Sequence, residues 1–553
     1  MIKKFFVVLL SVLFATMGLS ACKGPNKISN EPTVLNVKVY KAGYGDAWFT
    51  ALKSKFEEMY YEEGYKINVV ESSINVQGAA VMEELLLGRR NGVDMYFAGG
   101  LSPVAVAIQS VDEGFQMAAD LSDVYELKPI KENKTEENLT IKDKMKEGYD
   151  EYLVYNGRYE DYNGMYFVFP AFAMPGGLIV NEELLNSYGL EIPLTTDELI
   201  NCFETIAKDS AETGVYPTTW AGNNAYNYWR PVEDVWAAQY DGVEGYKKWV
   251  SMNPGEGKNP VDAVNVYDQK GFEYSLTVME TMLNLDYAPI GTRNATHGNA
   301  QHQFLTGKAV FMANGAWLQN EMIQNYSDSI SKMQMISAPV LSQIGMELNL
   351  DGNNGNDRGK CDKVLSAIVA AVDEGETNEE IISMVEAAPY SVQIGQNEKE
   401  KNAKIDKIRE SRAIYDDAGV EYGFIVNEYS TKKEIATLFL RFVASDDASI
   451  YMNELANALT AFDTIEEIYD DETTTTFIKS LQNLITYENA VSIHRFVPGD
   501  SLRTETGLAY FPNEGEIELT IADGKKGAAI WEDAGNYAKD NWEKLLKDVG
   551  IIE

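Results

Sequence analysis

Two short segments of this 553-residue chain combine aromatic rings with amide or carboxylate side chains. Residues 217–229 (Pro-Thr-Thr-Trp-Ala-Gly-Asn-Asn-Ala-Tyr-Asn-Tyr-Trp) carry four large aromatics in a run too rich in Gly and Asn for a core element. Residues 41–48 (Lys-Ala-Gly-Tyr-Gly-Asp-Ala-Trp) are a shorter version. Sugar rings present C–H faces to aromatic planes and hydroxyls to amides and carboxylates. The two segments therefore predict a carbohydrate site.

The candidate ligand-binding residues come from these segments and from the end of an apolar run at 309–317. They are Tyr44, Asp46, Trp48, Trp220, Asn223, Tyr226, Trp229, Asn314 and Trp317. Trp48 and Trp229 adjoin apolar residues at helical spacing, so ordinary core packing is the alternative for both. The same alternative holds, with less support, for Trp317.

Catalysis and metal binding have little support in the sequence. The histidines are His297, His302 and His494, and no Cys or carboxylate pattern completes a metal site with them. A glycoside hydrolase needs two facing carboxyls, and adjacent acids are expected by chance in a chain with 85 of them. We therefore predict no catalytic residue, no metal and no cofactor.

The charge balance excludes another class of function. The chain has 85 acidic against 47 basic residues, a formal net charge of −38. Such a surface repels nucleic acid, and no basic cluster offsets it. We expect no nucleic-acid partner.

The N-terminus predicts export and anchoring. Two lysines precede an apolar run at 5–19, and Leu-Ser-Ala-Cys stands at 19–22. This resembles the lipobox of bacterial lipoproteins, which implies a signal peptide over 1–21, a lipid on the Cys22 sulfur and the extracytoplasmic face of the cell membrane. Residues 22–33 are predicted to form a tether. An ordinary secretory signal is the alternative. Whether Cys202 and Cys361 form a disulfide stays open.

Behind the tether, hydrophobic periodicity predicts an α/β chain. Strands are predicted at 33–40, 66–70 and 93–98, and helices at 48–59 and 81–87. This β-α-β-α-β order favours a mostly parallel sheet with helices on its faces. In such sheets ligands bind beyond the carboxyl ends of strands.

Four motifs in order resemble one known family. They are Phe304-x-x-Gly307-Lys308-Ala309-x5-Gly315-x-Trp317, an extended run at 166–170 followed by Val180-Asn181-x-x-Leu184, a capped helix start at 194–199, and Ala436-x-x-Phe439-Leu440-x-Phe442-x-x-Ser445. Together they resemble the extracellular solute-binding proteins of ABC importers, in the carbohydrate-binding family that includes maltose-binding protein. The section at 348–422 fits no part of this pattern.

The resemblance implies a two-lobed, periplasmic-binding-protein-like fold of type II, with lobes joined by crossing hinge strands near 166–175 and 333–340. Lobe 1 would hold residues 34–170 and 340–450, and lobe 2 would hold residues 175–337 and 451–553. In this family an aromatic ring at the position of Trp317 commonly stacks on the sugar.

The resemblance also implies a function. We expect a lipid-anchored, monomeric substrate-binding protein that captures a carbohydrate, in particular an oligosaccharide, by hinge closure and delivers it to ABC permease subunits. Two alternatives remain: a secreted glycoside-active lipoprotein enzyme, and a sugar- or peptide-sensing lipoprotein without transport duty.

The anchor is tested by Cys22→Ser. Each methylene of a lipid chain buried in the bilayer contributes ~0.8 kcal/mol, so losing the acyl chains should leave the protein in the soluble fraction or unprocessed. Membrane fractionation measures this, with Cys202→Ser as the matched control. A Cys22→Ser variant that matures and stays with membranes as fully as the wild type would contradict the lipid anchor.

Overall fold

A computed structural model describes residues 32–553 except residues 42, 101, 158, 225, 256, 331, 465–473 and 496–500. The strands are β1 (Thr33–Tyr40), β2 (Tyr65–Ser73), β3 (Met95–Gly99), β4 (Phe169–Pro170), β5 (Phe172–Ala173), β6 (Pro175–Asn181), β7 (Tyr216–Thr218), β8 (Ala309–Gly315), β9 (Met333–Ile336), β10 (Ile414–Asp417), β11 (Tyr422–Val426), β12 (Leu459–Thr460) and β13 (Val491–Ile493).

The α-helices are α1 (Ala47–Met59), α2 (Gly78–Leu85), α3 (Pro103–Glu113), α4 (Ser122–Tyr125), α5 (Ile141–Lys144), α6 (Tyr149–Leu153), α7 (Glu182–Ser187), α8 (Thr196–Ala207), α9 (Ser210–Thr213), α10 (Tyr226–Asp241), α11 (Val243–Ser251), α12 (Gly271–Met282), α13 (His297–Leu305), α14 (Leu318–Ile330), α15 (Gln343–Glu347), α16 (Arg358–Asp373), α17 (Asn378–Glu386), α18 (Glu398–Arg412), α19 (Lys433–Val443), α20 (Asp446–Ala456), α21 (Thr476–Ile485), α22 (Leu502–Thr506), α23 (Ile517–Ala522) and α24 (Gly527–Asp548). Short 3₁₀ turns connect several of them, including Gly222–Asn224 and Gly419–Glu421.

The first sheet has the strand order β2-β1-β3-β11-β4. β1 runs parallel to β2 and β3, while β11 is antiparallel to β3 and β4. Helix α1 packs on this sheet because Trp48, Phe49 and Phe56 recur at helical spacing and are buried. The predicted β-α-β-α-β start of the chain is confirmed.

The second sheet has the order β13-β10-β6-β8-β7, and β9 also pairs with β6. Local signals set its elements. The Asn181 side chain caps α7 by accepting a hydrogen bond from the Leu184 N–H at 3.0 Å. Gly307, at φ +72°, makes the left-handed turn that leads from α13 into the fully buried strand β8.

The chain crosses between the sheets at more than one place, so the expected two-lobed α/β fold with crossing hinge strands is confirmed. β4 lies in the first sheet and β6 in the second, which makes 170–175 a crossing, as predicted. β10 lies in the second sheet and β11 in the first, so 417–422 is another. A small β5–β12 sheet stands between them.

The second predicted crossing, at 333–340, is wrong. Residues Met333–Ile336 form β9, which pairs with β6 inside the second sheet. Just beyond it, Val340 exchanges backbone hydrogen bonds with Leu194 and Thr196, both of which belong to the second lobe. The chain therefore stays in that lobe after β9.

The predicted placement of 340–450 in lobe 1 needs correction for its first part. Arg358 forms a bidentate ion pair with Asp197 on α8, and the Ser411 hydroxyl donates to the Gln239 carbonyl on α10 at 3.0 Å. The chain then enters the second sheet as β10. Residues 340–417 thus extend lobe 2. In addition, helix α20 continues past the predicted boundary at 450 and packs on α1.

A buried carboxylate joins the two crossings. Asp417 accepts hydrogen bonds from the backbone N–H of Met174 at 2.8 Å and of Gly419 at 2.7 Å, and from the Tyr149 hydroxyl at 2.7 Å. Burial raises the pKa of Asp417 above its ordinary value, although these donors lower it. Its backbone carbonyl in turn accepts a hydrogen bond from His494.

His494 is buried and neutral. The bond from Nδ1 to the Asp417 carbonyl assigns the proton to Nδ1, so Nε2 accepts from the Ser492 hydroxyl at 3.0 Å. Burial lowers the pKa of His494 to about 3.

Cys202 and Cys361 are both buried and unpaired. Within the described residues, no helix is long and apolar enough to cross a membrane. The predicted signal peptide and Cys22 lie outside the described residues.

His494 generates a pH prediction. An unfolded-chain histidine has a pKa near ~6.5, so between this value and about 3 the unfolded state binds more protons than the folded state. The stabilisation from the neutral ring is complete above pH ~6.5. It is lost as the pH falls, at up to ~1.4 kcal/mol per pH unit.

The measurement is denaturant unfolding at a series of pH values between 7 and 4. His494→Asn should lessen the fall of unfolding free energy with acid, and comparison with the wild type cancels the opposite effect of the raised Asp417 pKa. The control is His302→Asn, at an exposed histidine. Equal pH dependence in wild type and His494→Asn would contradict the assignment.

Candidate ligand-binding cleft

A cleft of about 320 Å³ lies where the two lobes and the crossings meet. Such a volume is at the lower end of the range for small-molecule sites. The cleft is lined by Tyr40, Gly43, Met174, Gly176, Tyr228, Arg230, Pro231, His297, Trp317, Glu321, Asp416, Ala418, Glu421 and Tyr422.

The wall from the first lobe is a pair of tyrosines. Tyr40 ends β1 and Tyr422 begins β11, and their ring centroids lie 5.7 Å apart. Both rings lie over Gly99, at the end of the intervening strand β3; a Cβ there would come within 2.7 Å of the Tyr422 ring. The lack of a side chain at Gly99 thus lets the two rings meet at the carboxyl edge of the parallel strands.

The wall from the second lobe is also aromatic. Trp317 follows β8 and its ring centroid lies 6.1 Å from that of Tyr228 on α10. Tyr228 in turn makes an edge contact with His297, at 4.3 Å between centroids. Burial raises the pKa of Tyr228 to about 12 and lowers the pKa of His297, so the imidazole is neutral at physiological pH. Its Nδ1 is buried and has no hydrogen-bond partner in the described structure.

Charged groups form the floor. Arg230 lies 3.6 Å from Glu421 (Nη2 to Oε1), across the second crossing. Asp416 is only 5 % exposed, and burial raises its pKa well above the usual range of a carboxyl group. Under this floor, Asp234 and Arg495 form a buried bidentate ion pair at 2.6 and 2.7 Å.

The cleft does not resemble a metal centre. Across the part of the chain that the structure describes, no three His, Cys, Asp or Glu side chains are grouped closely enough to hold a metal ion. The arrangement is one of aromatic faces with hydrogen-bonding groups between them, which suits the reversible binding of a polar ligand that has flat apolar faces.

Residues 42–343, more than half of the chain, match the family model described as bacterial extracellular solute-binding protein. The chain belongs to this family. The family resemblance found in the sequence is thereby confirmed, and with it an extracytoplasmic place of action and a role in solute binding. No curated protein sequence matches this solute-binding protein.

Solved structures share its fold at low sequence identity. One, from work on xylan utilization by Caldanaerobius polysaccharolyticus, has a TM-score of 0.55 at 17% identity and covers 91% of this chain and 99% of its own. The GacH receptor of Streptomyces glaucescens, solved unliganded and with acarbose, has a TM-score of 0.54 at 16% identity over 93% and 99% of the two chains. The protein RafE, in complex with raffinose, has a TM-score of 0.52 at 13% identity over 92% and 99%.

Of the nine candidate residues, the structure brings Trp317 into the lining of the cleft. Others are buried outside the lining of the cleft, and their predicted contact with a ligand stays a prediction: Tyr44, Trp48, Trp220, Trp229 and Asn314. Trp48, for example, is fully buried against Phe97 and Phe172, and its Nε1 donates to the Gly45 carbonyl at 3.1 Å. Core packing, the alternative for Trp48 and Trp229, is the observed state.

The remaining candidates lie outside the cleft lining as well. Asp46 accepts a hydrogen bond from Ser72 at 2.6 Å and pairs with Lys41 at 3.2 Å. Asn223 is exposed, and its backbone N–H bonds to the Ala295 carbonyl. Tyr226 begins α10, and the orientation of its side chain lies outside what the structure describes.

Most of the lining was missed by sequence reasoning. Tyr40 and Tyr422 are strand ends, and the rule that ligands gather beyond the carboxyl ends of parallel strands could have identified Tyr40. Tyr228 lies inside the aromatic segment 217–229, beside residues that were chosen. Asp416 and Glu421 fall in the section that fitted no motif, and no local signal marks them.

A larger cavity, of about 760 Å³, lies on the second lobe between α11, α18 and the start of β13. Its lining comes from that lobe alone, so movement of one lobe against the other cannot enclose a ligand there. The smaller cleft between the lobes is therefore the candidate site of this solute-binding protein.

Substituting Trp317 and Trp48 separates the site from the core. Trp317→Ala should weaken binding of a ligand by ~1 to ~3 kcal/mol, about ten- to a hundredfold, because the indole face is lost while the fold survives. Trp48→Ala should instead lower the free energy of unfolding by ~3 to ~5 kcal/mol and leave affinity nearly intact.

Calorimetric titration and denaturant unfolding of both variants measure the two effects. Normal affinity together with a strongly lowered unfolding midpoint in Trp317→Ala would assign this residue to the core.

Proposed function

We propose that this protein captures a carbohydrate in the cleft between its lobes and delivers it to an ABC importer. The observation that carries the proposal is the pair of aromatic walls, Tyr40 with Tyr422 on one lobe and Trp317 with Tyr228 on the other. Two flat apolar faces that approach from opposite lobes suit the two C–H faces of a pyranose ring.

The polar groups between the walls support the same ligand class. The guanidinium of Arg230 donates only, the neutral His297 imidazole has a buried Nδ1 without a partner in the described residues, and the carboxylates accept. Sugar hydroxyls both donate and accept, so they can satisfy all three kinds of group. A ligand without hydroxyls would leave buried polar atoms unpaired, which costs ~1 to ~3 kcal/mol each.

The connections between the lobes suit hinge closure. Short strands and turns cross between the sheets, and polar contacts join the two lobes. The Asn320 amide donates to the Gly43 carbonyl at 2.8 Å, and Lys247 pairs with Glu151. Such contacts can break and re-form at small cost, so a ligand that touches both lobes would supply the differential affinity that shifts the equilibrium toward the closed state.

The structural neighbours are consistent with this proposal. By their descriptions they concern xylan utilization, a receptor in complex with acarbose and a protein in complex with raffinose. We further propose that Cys22 carries the lipid anchor and that the partners of the monomeric protein are permease subunits, as the lipobox and the family suggest. We also propose that the sugar is an oligosaccharide.

The test is a thermal-shift screen against a glycan library, followed by small-angle scattering. A sugar at 100 times its dissociation constant should stabilise the folded protein by ~2.7 kcal/mol. The same sugar should reduce the radius of gyration, since closure brings the lobes together. Absence of any stabilising glycan, or an unchanged scattering profile with a sugar that binds, would contradict the proposal. Turnover of the bound sugar would instead favour the enzyme alternative.

A further inference from the structure

The charges around the cleft are unbalanced. Three carboxyl groups line it, from Glu321, Asp416 and Glu421, against one guanidinium, from Arg230. Arg230 lies 3.6 Å from Glu421, and among the described residues neither Asp416 nor Glu321 forms an ion pair. The hydrogen bond that Glu321 accepts from Gln301, at 2.7 Å, does not neutralise its charge.

Asp416 is the unusual member of this set. Only 5 % of its surface is exposed. Among the described residues, its carboxylate forms neither a hydrogen bond nor an ion pair. The next residue, Asp417, accepts three hydrogen bonds. Buried carboxylates are normally paired, because desolvation of an isolated charge is costly. A buried, unpartnered carboxylate in the lining of a ligand cleft suggests that the ligand supplies its partner.

The backbone at Gly176, on the neighbouring strand β6, leaves the carboxylate of Asp416 uncovered. Asp416 pairs with Gly176 across β10 and β6. A Cβ on Gly176 would lie 3.2 Å from Asp416 Oδ2 and 2.9 Å from Cγ of Pro231, so any side chain there would cover the carboxylate or clash with the proline. Glycine at this position therefore leaves Oδ2 open toward the cleft.

We propose that the ligand is a cationic sugar, whose protonated amine is received by Asp416, with Glu321 contributing a second carboxylate. This inference rests on the proposed function and names its substrate class. A neutral sugar would be enclosed with three carboxyl groups and a single guanidinium, whereas an ammonium group replaces the lost hydration with charge-assisted hydrogen bonds. Burial raises the pKa of Asp416, and the nearby Arg230 guanidinium offsets this effect only in part.

The alternative is that Asp416 is protonated and contacts a hydroxyl of a neutral sugar. Sugar pairs that differ only in an amine or a hydroxyl at C2 of each ring separate the two. The probes are glucosamine with glucose, galactosamine with galactose, and the β-1,4-linked glucosamine disaccharide with cellobiose. Calorimetric titration at pH 6.5 keeps the amines protonated.

We expect an amino sugar of this set to bind the wild type at least about tenfold more tightly than its hydroxyl partner, the ratio that one charge-assisted contact supplies. Asp416→Asn should bring this ratio close to one, with little change for the neutral sugar. Glu321→Gln should lower it in the same direction and serves if Asp416→Asn does not fold. Asp286→Asn, at an exposed carboxylate elsewhere in the second lobe, should leave the ratio unchanged.

Two failures are distinguishable. If neutral sugars bind as tightly as their amino partners or more tightly, or if the ratio survives in Asp416→Asn, the inference is wrong and the carbohydrate-binding proposal stands. If no glycan of the thermal-shift library and no sugar of these pairs binds, both are wrong.

Discussion

Both lobes of this protein depend on the hydrogen bonds of one buried side chain. Asp417 accepts from the backbone of the first crossing at Met174 and of the second crossing at Gly419. The carboxylate accepts hydrogen bonds from backbone N–H groups of two turns, which would otherwise be buried without a partner. Successive side chains of a strand point to opposite faces. While Asp417 therefore holds the hinge, its neighbour Asp416 faces the cleft, so the constraint on the hinge also orients the site.

Some buried polar side chains have hydrogen-bond or ion-pair partners within the protein, and others have none among the described residues. Asp234 and Arg495, just below the cleft, satisfy each other through a bidentate pair. Asp416, by contrast, has no partner among the described residues, and neither has the buried Nδ1 of His297. Such groups lower the stability of a protein, so their presence in the lining of the cleft is consistent with a region shaped for binding.

The motifs that identify the family set local backbone geometry more than ligand contacts. Gly307 supplies a left-handed turn and Asn181 caps a helix, and neither lines the cleft. Turn and cap residues of this kind act locally, because each fixes the backbone of only a few neighbouring residues. Trp317 belongs to both groups, as part of the motif and of the lining.

The sequence by itself determined the alternating start of the first lobe, the capped helices, the buried strand β8 and the family, because periodicity, caps and turn residues act over a few neighbours. The tertiary structure decided the site. Residues 217–229 are polar and aromatic, yet α10 begins at Tyr226, and its buried face (Val232, Val235 and Trp236) carries Trp229 into the core. Likewise, long-range contacts assign residues 340–417 to the second lobe, among them the pairing of β10 with β6 and β13. Tyr40, Tyr228, Trp317 and Asp416 lie on separate elements, and their meeting depends on long-range strand order, which no local pattern encodes.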